Sequence, residues 1–304
     1  MSTAKEQSGN YFWITATLLA ASIEPIIAKI GYAANCTPLQ LLCLKSIVGA
    51  LVIYPLTRKE SWLAASELKT IIPAALLLLC TSTLSLSALQ FIPASLLITI
   101  LTVTPAVVAL VNQALGRDTL SKKFWLGFFT CVLGLLFTLK SEFAGIHALG
   151  IGLALAAVCS SSTYRVLMER ITSCYKPAIV SRYIFLINGA CSLSLVPFVF
   201  QNGLPGNLLL SGLWLGTAAA VANLAFLYAI SILGATRVSI ISMLERPIVI
   251  LIAAIVLKEA LSPAQILGII LVFSGVQIAK VKRNQKTQEA KVATLTASTG
   301  SLSR

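Results

Sequence analysis

The chain has a single histidine, His147, and its seven cysteines stand singly at 36, 43, 80, 131, 159, 174 and 191, with no C-x-x-C pair. A zinc-type centre needs His and Cys at ligand spacing, so no metal site, no cofactor and no metal-assisted enzyme chemistry is expected. No G-x-x-x-x-G-K-[ST] sequence occurs, which argues against nucleotide hydrolysis by this chain. Charge is scarce as well: 11% of the 304 residues are Asp, Glu, Lys or Arg, against roughly 25% in a soluble domain. Acids are the scarcest, 10 against 23 Lys and Arg. The resulting formal charge of +13 would suit nucleic acid, but the cations are not gathered with aromatics on one polar face, so no nucleic-acid partner follows. No connection between apolar runs is long enough to fold as a soluble domain.

Apolar length is what the chain does have, with 57% apolar residues and a mean hydropathy of +0.91. A helix needs about 20 apolar residues at 1.5 Å rise each to cross the hydrocarbon of a lipid bilayer. Ten such spans fit: 12–31, 38–57, 70–89, 93–115, 123–140, 147–167, 179–200, 208–230, 237–257 and 263–281. The fold class expected is therefore an all-α membrane protein of about ten transmembrane helices. Lys5, then Arg58, Lys59 and Lys69, then Arg117, Lys122 and Lys123, then Arg170 and Lys176, then Lys280, Lys282, Arg283 and Lys286 mark every second boundary. The other boundaries hold only Lys29, Lys140 and Lys258. By the positive-inside rule both termini are expected in the cytoplasm of a multi-pass protein of the cell inner membrane. The first span is expected to be retained, because its leading segment has only Lys5 and its apolar run carries Glu24 and Pro25. Residues 284–304, rich in Lys, Gln, Ser and Thr, read as a disordered cytoplasmic tail.

The chain repeats itself. A displacement of 141 residues sets Ala88 on Ala229, Ala94 on Ala235, Leu120-Ser121 on Leu261-Ser262, Leu126 on Leu267, Gly127 on Gly268 and Gly134 on Gly275. One further residue brings Pro105 onto Pro247. The copies are 12–140 and 147–281, with five helices each. An odd number turns the second copy upside down relative to the first, and two inverted five-helix repeats are the architecture in which one half rocks on the other around a midplane site.

These matches resemble the drug/metabolite transporter superfamily, and within it the ten-helix EamA-type family. The residues that carry the resemblance are Pro247, Lys258-Glu259-Ala260-Leu261-Ser262, Gln265, Gly268 and Gly275 in the second copy, and Pro105, Asp118, Leu120, Gly127 and Gly134 in the first. Asp118 stands where the family typically has Glu. The resemblance implies a monomer-sized translocation unit with its substrate cavity between the halves.

An ionisable group at a helix centre costs roughly 2.5–3.5 kcal/mol on insertion scales, so such groups mark function. Four qualify: Glu24, Lys45, Glu245 and Arg246. Glu24 and Lys45 lie at matching depths in the first two spans. They read either as binding groups for the ammonium and carboxylate of an amino-acid-like substrate, with Glu24 alternatively taking a coupling proton, or as a structural ion pair. Ser239, Ser242 and Arg246 follow helical spacing and put one polar stripe of the ninth span inward. Arg246 reads as an anchor for a carboxylate or phosphate, or as a lock between halves. Asn223 and Tyr228 on the eighth span are further pathway candidates, and Pro25, Pro105 and Pro247 are candidate helix breaks. The glycines at 127, 134, 268 and 275 let the fifth and tenth spans approach closely, or serve a homodimer contact. Arg165, Arg182 and Arg237 are expected to snorkel from cytoplasmic helix ends.

A lone histidine and scattered cysteines argue against an intramembrane enzyme, and mixed-sign charges on three helices suit an occluding site better than a channel ring. The expectation is a secondary carrier or antiporter of a small-molecule substrate. The substrate class favoured by the mixed charges is an amino acid or an amino-acid-bearing metabolite such as S-adenosylmethionine; the alternative is export of amphipathic drugs or other metabolites by proton antiport.

Overall fold

The structure, a computed structural model, describes residues 2–33, 36–138, 147–200, 208–257, 262–279 and 282–283. The expected tail at 284–304, the Lys258-Glu259-Ala260-Leu261 stretch and Lys140 lie outside the described residues. In the first copy the helices are α1 (Ser2–Ala33), α2 (Pro38–Thr57), α3 (Ala65–Ala88), α4 (Ala94–Leu101), α5 (Thr104–Ala114) and α6 (Lys122–Phe137). In the second they are α7 (Ala148–Cys174), α8 (Pro177–Val199), α9 (Leu208–Leu233), α10 (Ala235–Ser242), α11 (Glu245–Leu257) and α12 (Pro263–Ile278). Because α4 with α5 and α10 with α11 are single spans broken once, the twelve segments make ten passes. Phe198, Leu51, Phe129 and Trp214 are each more than 60% exposed, an apolar surface that water would not tolerate and lipid covers.

Proline places both breaks. Pro105 and Pro247 cannot donate to the carbonyls of Leu101 and Met243 one turn earlier. There the chain tightens into i to i−3 bonds, Val103 N–H to Ile100 O at 3.1 Å and Leu244 N–H to Ile241 O at 3.0 Å. The segments α4 and α10, α5 and α11, and α6 and α12 begin 141 residues apart. In both copies the Leu-Ser motif supplies the cap of the last helix: Ser121 Oγ accepts from Phe124 N–H, and Ser262 closes a reciprocal box with Gln265. Pro25 behaves differently from the expected break, since α1 runs through it without interruption. The internal prolines Pro55, Pro73 and Pro197 are carried in α2, α3 and α8 in the same way, as happens where neighbouring helices shield the freed carbonyl.

The copies interleave rather than sit side by side. α1 packs on α9, and its inverted equivalent α7 packs on α3; α2 lies against both α8 and α9. Small residues permit this: a Cβ on Gly216 would come within 2.6 Å of Val48, and one on Gly49 within 2.4 Å of the Phe185 ring. The closest seam joins α6 to α12, where Gly127 faces Gly275 and Gly134 faces Gly268. An added Cβ would fall 2.5 Å from the Gly275 carbonyl in the first case and 2.7 Å from the Gly268 carbonyl in the second. These glycine faces are spent on each other, so they are not free for a contact with a second copy.

One face of the bundle collects the connections 58–64, 115–121 and 175–176. Lys176 Nζ donates to Glu60 at 3.0 Å across two of them, and β1 (Asp118–Thr119) pairs antiparallel with β2 (Lys282–Arg283). This is the basic face. Arg182 is expected to snorkel there, but it is fully buried. Its Nη1 donates to Thr57 O at 3.0 Å and Glu60 O at 3.1 Å, its Nη2 to Ser61 O, and its plane lies 4.5 Å over Trp62. The guanidinium thus ties the last carbonyl of α2 to carbonyls of the α2–α3 connection, a role its planar fork of donors suits.

Candidate substrate cavity

A cavity of about 330 Å³ lies between the two copies, with walls from α1, α2, α3 and α4 on one side and α7, α8, α9, α10 and α11 on the other. Its apolar wall runs along Leu78, Leu79, Leu86 and Leu89 to the end of α3 and over Leu97 at the start of α4, away from the basic face. Its floor, at mid-helix depth, is built from Tyr164, Arg165, Phe226, Ser242 and Glu245.

Of the residues singled out from sequence, Glu24, Lys45, Glu245 and Asn223 line this cavity. Glu24 and Lys45 form an ion pair, with side-chain exposures of 31% and 14%, as their matching depths predict. Asn223 is held rather than free: its Nδ2 donates to Tyr164 Oη at 2.8 Å and its Oδ1 accepts from Ser181 Oγ at 3.4 Å. Glu245 is tied to α1 only through its backbone carbonyl, which accepts from Ser22 Oγ at 3.3 Å. Its carboxylate makes no ion pair or hydrogen bond among the described residues, although it lies in the field of Arg165 and Glu24.

Two of the candidates lie off the wall. Arg246 is turned to α4, its Nη1 donating to Thr99 Oγ1 at 3.3 Å, a link between copies. Ser239, Ser242 and Arg246 all face inward as expected, but the break at Met243–Leu244 interrupts the helical register between the serines and the arginine, so they do not form one stripe. Tyr228 stacks on Trp13, ring centroids 4.2 Å apart and 11° between planes, pinning α9 to α1.

Sequence reasoning missed Arg165. Placing the end of the sixth span at 167 left Arg165 two residues from water, whereas α7 continues to Cys174. About 1.5 Å of rise per residue therefore keeps it well inside the bundle. Its Nη1 donates to Ser239 Oγ at 3.3 Å and Ser242 Oγ at 3.4 Å, and its guanidinium lies 4.8 Å over the Phe226 ring. Asn188 of α8, also on the wall, is 4% exposed and its Oδ1 has no hydrogen-bond partner. A helix length estimated to C-terminal charge rather than to the last apolar residue would have found Arg165; nothing in the sequence separates Asn188 from a packing amide.

Between the floor and the basic face the copies are joined by a second polar cluster. Asn112 Nδ2 of α5 donates to Glu169 Oε2 of α7 at 2.8 Å and to Thr236 Oγ1 of α10 at 3.0 Å. Thr236 in turn donates to Asp118 Oδ2 at 2.6 Å, and Arg117 Nη1 reaches Asn112 Oδ1 and the Val166 carbonyl. Asn112, Asp118, Glu169 and Thr236 are all buried. Beneath them Val108, Met168, Ile171 and Ile230 belong to one apolar cluster. The cavity is thus closed toward the basic face by a cluster in which Asn112–Glu169, Asn112–Thr236, Thr236–Asp118 and Arg117–Val166 cross the repeat boundary.

Among the described residues no group of three His, Cys, Asp or Glu side chains could hold a metal ion. No curated protein matches the sequence. A crystal structure of a protein superposes with a TM-score of 0.76 at 17% identity, covering 90% of this chain and 96% of the other, which establishes a shared fold. The family model of EamA-like transporters matches twice, over residues 8–140 and 148–279, one match on each of the two interleaved copies whose contact encloses the cavity. By that double match the chain is a multi-pass membrane protein belonging to the EamA-like transporter family.

Proposed function

We propose that the chain is a secondary carrier for a small metabolite bearing both charges, an amino acid or an amino-acid-bearing compound such as S-adenosylmethionine, moved through the cavity between the copies. The observation that carries this is the composition of one wall: two acids, Glu24 and Glu245, and two bases, Lys45 and Arg165, drawn from both copies around about 330 Å³ of space. That volume lies within the roughly 300–1,000 Å³ range of small-molecule sites. Charges this deep in an apolar protein are costly, and they mark a pathway more than a scaffold. The basic face is the cytoplasmic one in this reading, supported by Arg58 and Lys59 on its connections and Lys69, Lys122, Lys123 and Arg170 at the helix ends beside them. Both termini then lie in the cytoplasm of an inner-membrane protein.

A second reading, export of amphipathic compounds by proton antiport, draws on the leucine-rich wall and the unpaired Glu245 carboxylate.

Thermal unfolding of the purified protein against amino acids, nucleosides, S-adenosylmethionine and lipophilic cations separates the two. A ligand that binds only the folded state, at 100 times its dissociation constant, adds about 2.7 kcal/mol. A midpoint shift with zwitterions, reproduced as saturable uptake of the same compound into proteoliposomes, is the expected result. Shifts by lipophilic cations alone, abolished by Glu245→Gln, would replace the zwitterion reading with the antiport one.

A further inference from the structure

We infer that Arg165 receives the anionic end of the substrate and that Glu245 faces its cationic end, with Lys45 and Glu24 serving each other; this rests on the carrier reading above. The four charges on the wall are not equivalent. Lys45 and Glu24 are joined in an ion pair within the first copy. Among the described residues the second copy has no such pair: the only charged residue of α8, the equivalent of α2, is Arg182, which is committed to the carbonyls of Thr57, Glu60 and Ser61. Arg165 therefore faces the cavity with no carboxylate within ion-pair distance among the described residues.

Its donors tell the same story. The protein uses Nη1 alone, on two serine hydroxyls at 3.3 and 3.4 Å, and leaves Nε and Nη2 without a protein acceptor among the described residues. The guanidinium carbon lies 4.8 Å from the centroid of the Phe226 ring, and the unused N–H groups lie in the plane of the fork. That plane is the geometry in which a guanidinium receives a carboxylate or another planar oxyanion. Tyr164 Oη accepts from Asn223 and makes no donation among the described residues, so its proton is also available at the floor. Asn188 Oδ1, buried on the wall and without a partner, adds an acceptor that only a bound molecule or water can satisfy. Unspent donors around Arg165 and unspent acceptors at Glu245 and Asn188 are complementary to a zwitterion whose apolar body lies along the α3 and α4 leucines.

The test is discrimination, which a purely structural arginine would not move. Leucine, methionine and phenylalanine, their carboxamides, and their N-acetyl derivatives are titrated against the purified protein by thermal shift. The wild type is expected to prefer each acid over its carboxamide by about tenfold or more. Arg165→Gln is expected to bring that ratio close to one, Arg165→Lys to retain part of it, and Gly152→Ala, off the cavity wall and with open space for its methyl, to leave it unchanged. Glu245→Gln is expected to reduce the preference for the free amine over its N-acetyl derivative. If Arg165→Gln does not survive purification, Phe226→Leu, which removes the ring that aims the guanidinium, must lower the acid-to-amide ratio instead. An unchanged ratio in a folded Arg165 or Phe226 variant overturns the assignment while leaving the carrier reading intact. If the wild type binds none of these compounds, the zwitterion reading falls and the assignment falls with it.

Discussion

Thr236→Val removes one oxygen from the cluster that closes the cavity and adds a methyl of similar size, so its cost can be worked from two bonds. Thr236 is 1% exposed, accepts from Asn112 at 3.0 Å and donates to Asp118 at 2.6 Å. Asn112 keeps its other acceptor, Glu169, at 2.8 Å, so the first loss is small. Asp118, 7% exposed, loses a hydrogen bond to a carboxylate, which is the larger one at about 1.5–3 kcal/mol. Thr236→Ser keeps the hydroxyl and gives up a buried methyl, about 0.8 kcal/mol. The expected order is therefore valine worse than serine, with valine near 2 kcal/mol from that range. Equilibrium unfolding in mixed detergent micelles measures both, and a double cycle with Asn112→Leu should show coupling above about 0.5 kcal/mol. Serine as damaging as valine, or a valine variant as stable as wild type, would refute the claim that the hydroxyl joins the two copies.

Three further outcomes follow from the geometry. Lys45→Met should destabilise more than the double variant Glu24→Gln with Lys45→Met, because the single change leaves a carboxylate without its partner; unfolding midpoints in the two variants check it. Arg182→Lys should lose about 2 kcal/mol or more despite keeping the charge, since an ammonium cannot span carbonyls from Thr57 to Ser61 and stack on Trp62 at once; accelerated proteolysis at the 58–64 connection is the readout. Gly134→Leu should abolish monodisperse protein in size exclusion, whereas Gly152→Ala, where a Cβ meets nothing within 4 Å, should be neutral.

Much of the scaffold is legible in the sequence because lipid imposes it. Ten passes follow from apolar length, the inversion from an odd count per copy, and both breaks from Pro105 and Pro247. The caps Ser121 and Ser262 and the glycines at 127, 134, 268 and 275 are visible because the second copy repeats them. The cavity was harder. Glu24 and Lys45 could be set at one depth by counting from helix ends, but their being spent on each other is a matter of side-chain direction. Arg165 was lost to an error in where α7 ends. Pro25 failed as a break because proline alone does not decide; in α4–α5 and α10–α11 the helix is interrupted just before the proline, and in α1 it is continuous. Asn112, Glu169 and Thr236 are far apart in sequence, and no local pattern announces that they meet.

The equal number of acids and bases on the cavity wall has an electrical consequence. In their usual ionic forms Glu24, Glu245, Lys45 and Arg165 sum to zero, so the empty site of the proposed carrier has no net charge. An amino acid, one of the proposed substrates, adds none, whereas the sulfonium of S-adenosylmethionine would add one positive charge. A net elementary charge crossing the full field would feel about 2.3 kcal/mol per 100 mV, and a neutral site feels almost nothing. In the proposed carrier reading, reorientation of the empty site and of the site loaded with an amino acid is electroneutral, and the membrane potential neither drives nor opposes those steps. In that reading the net flux of an amino acid follows its concentration gradient.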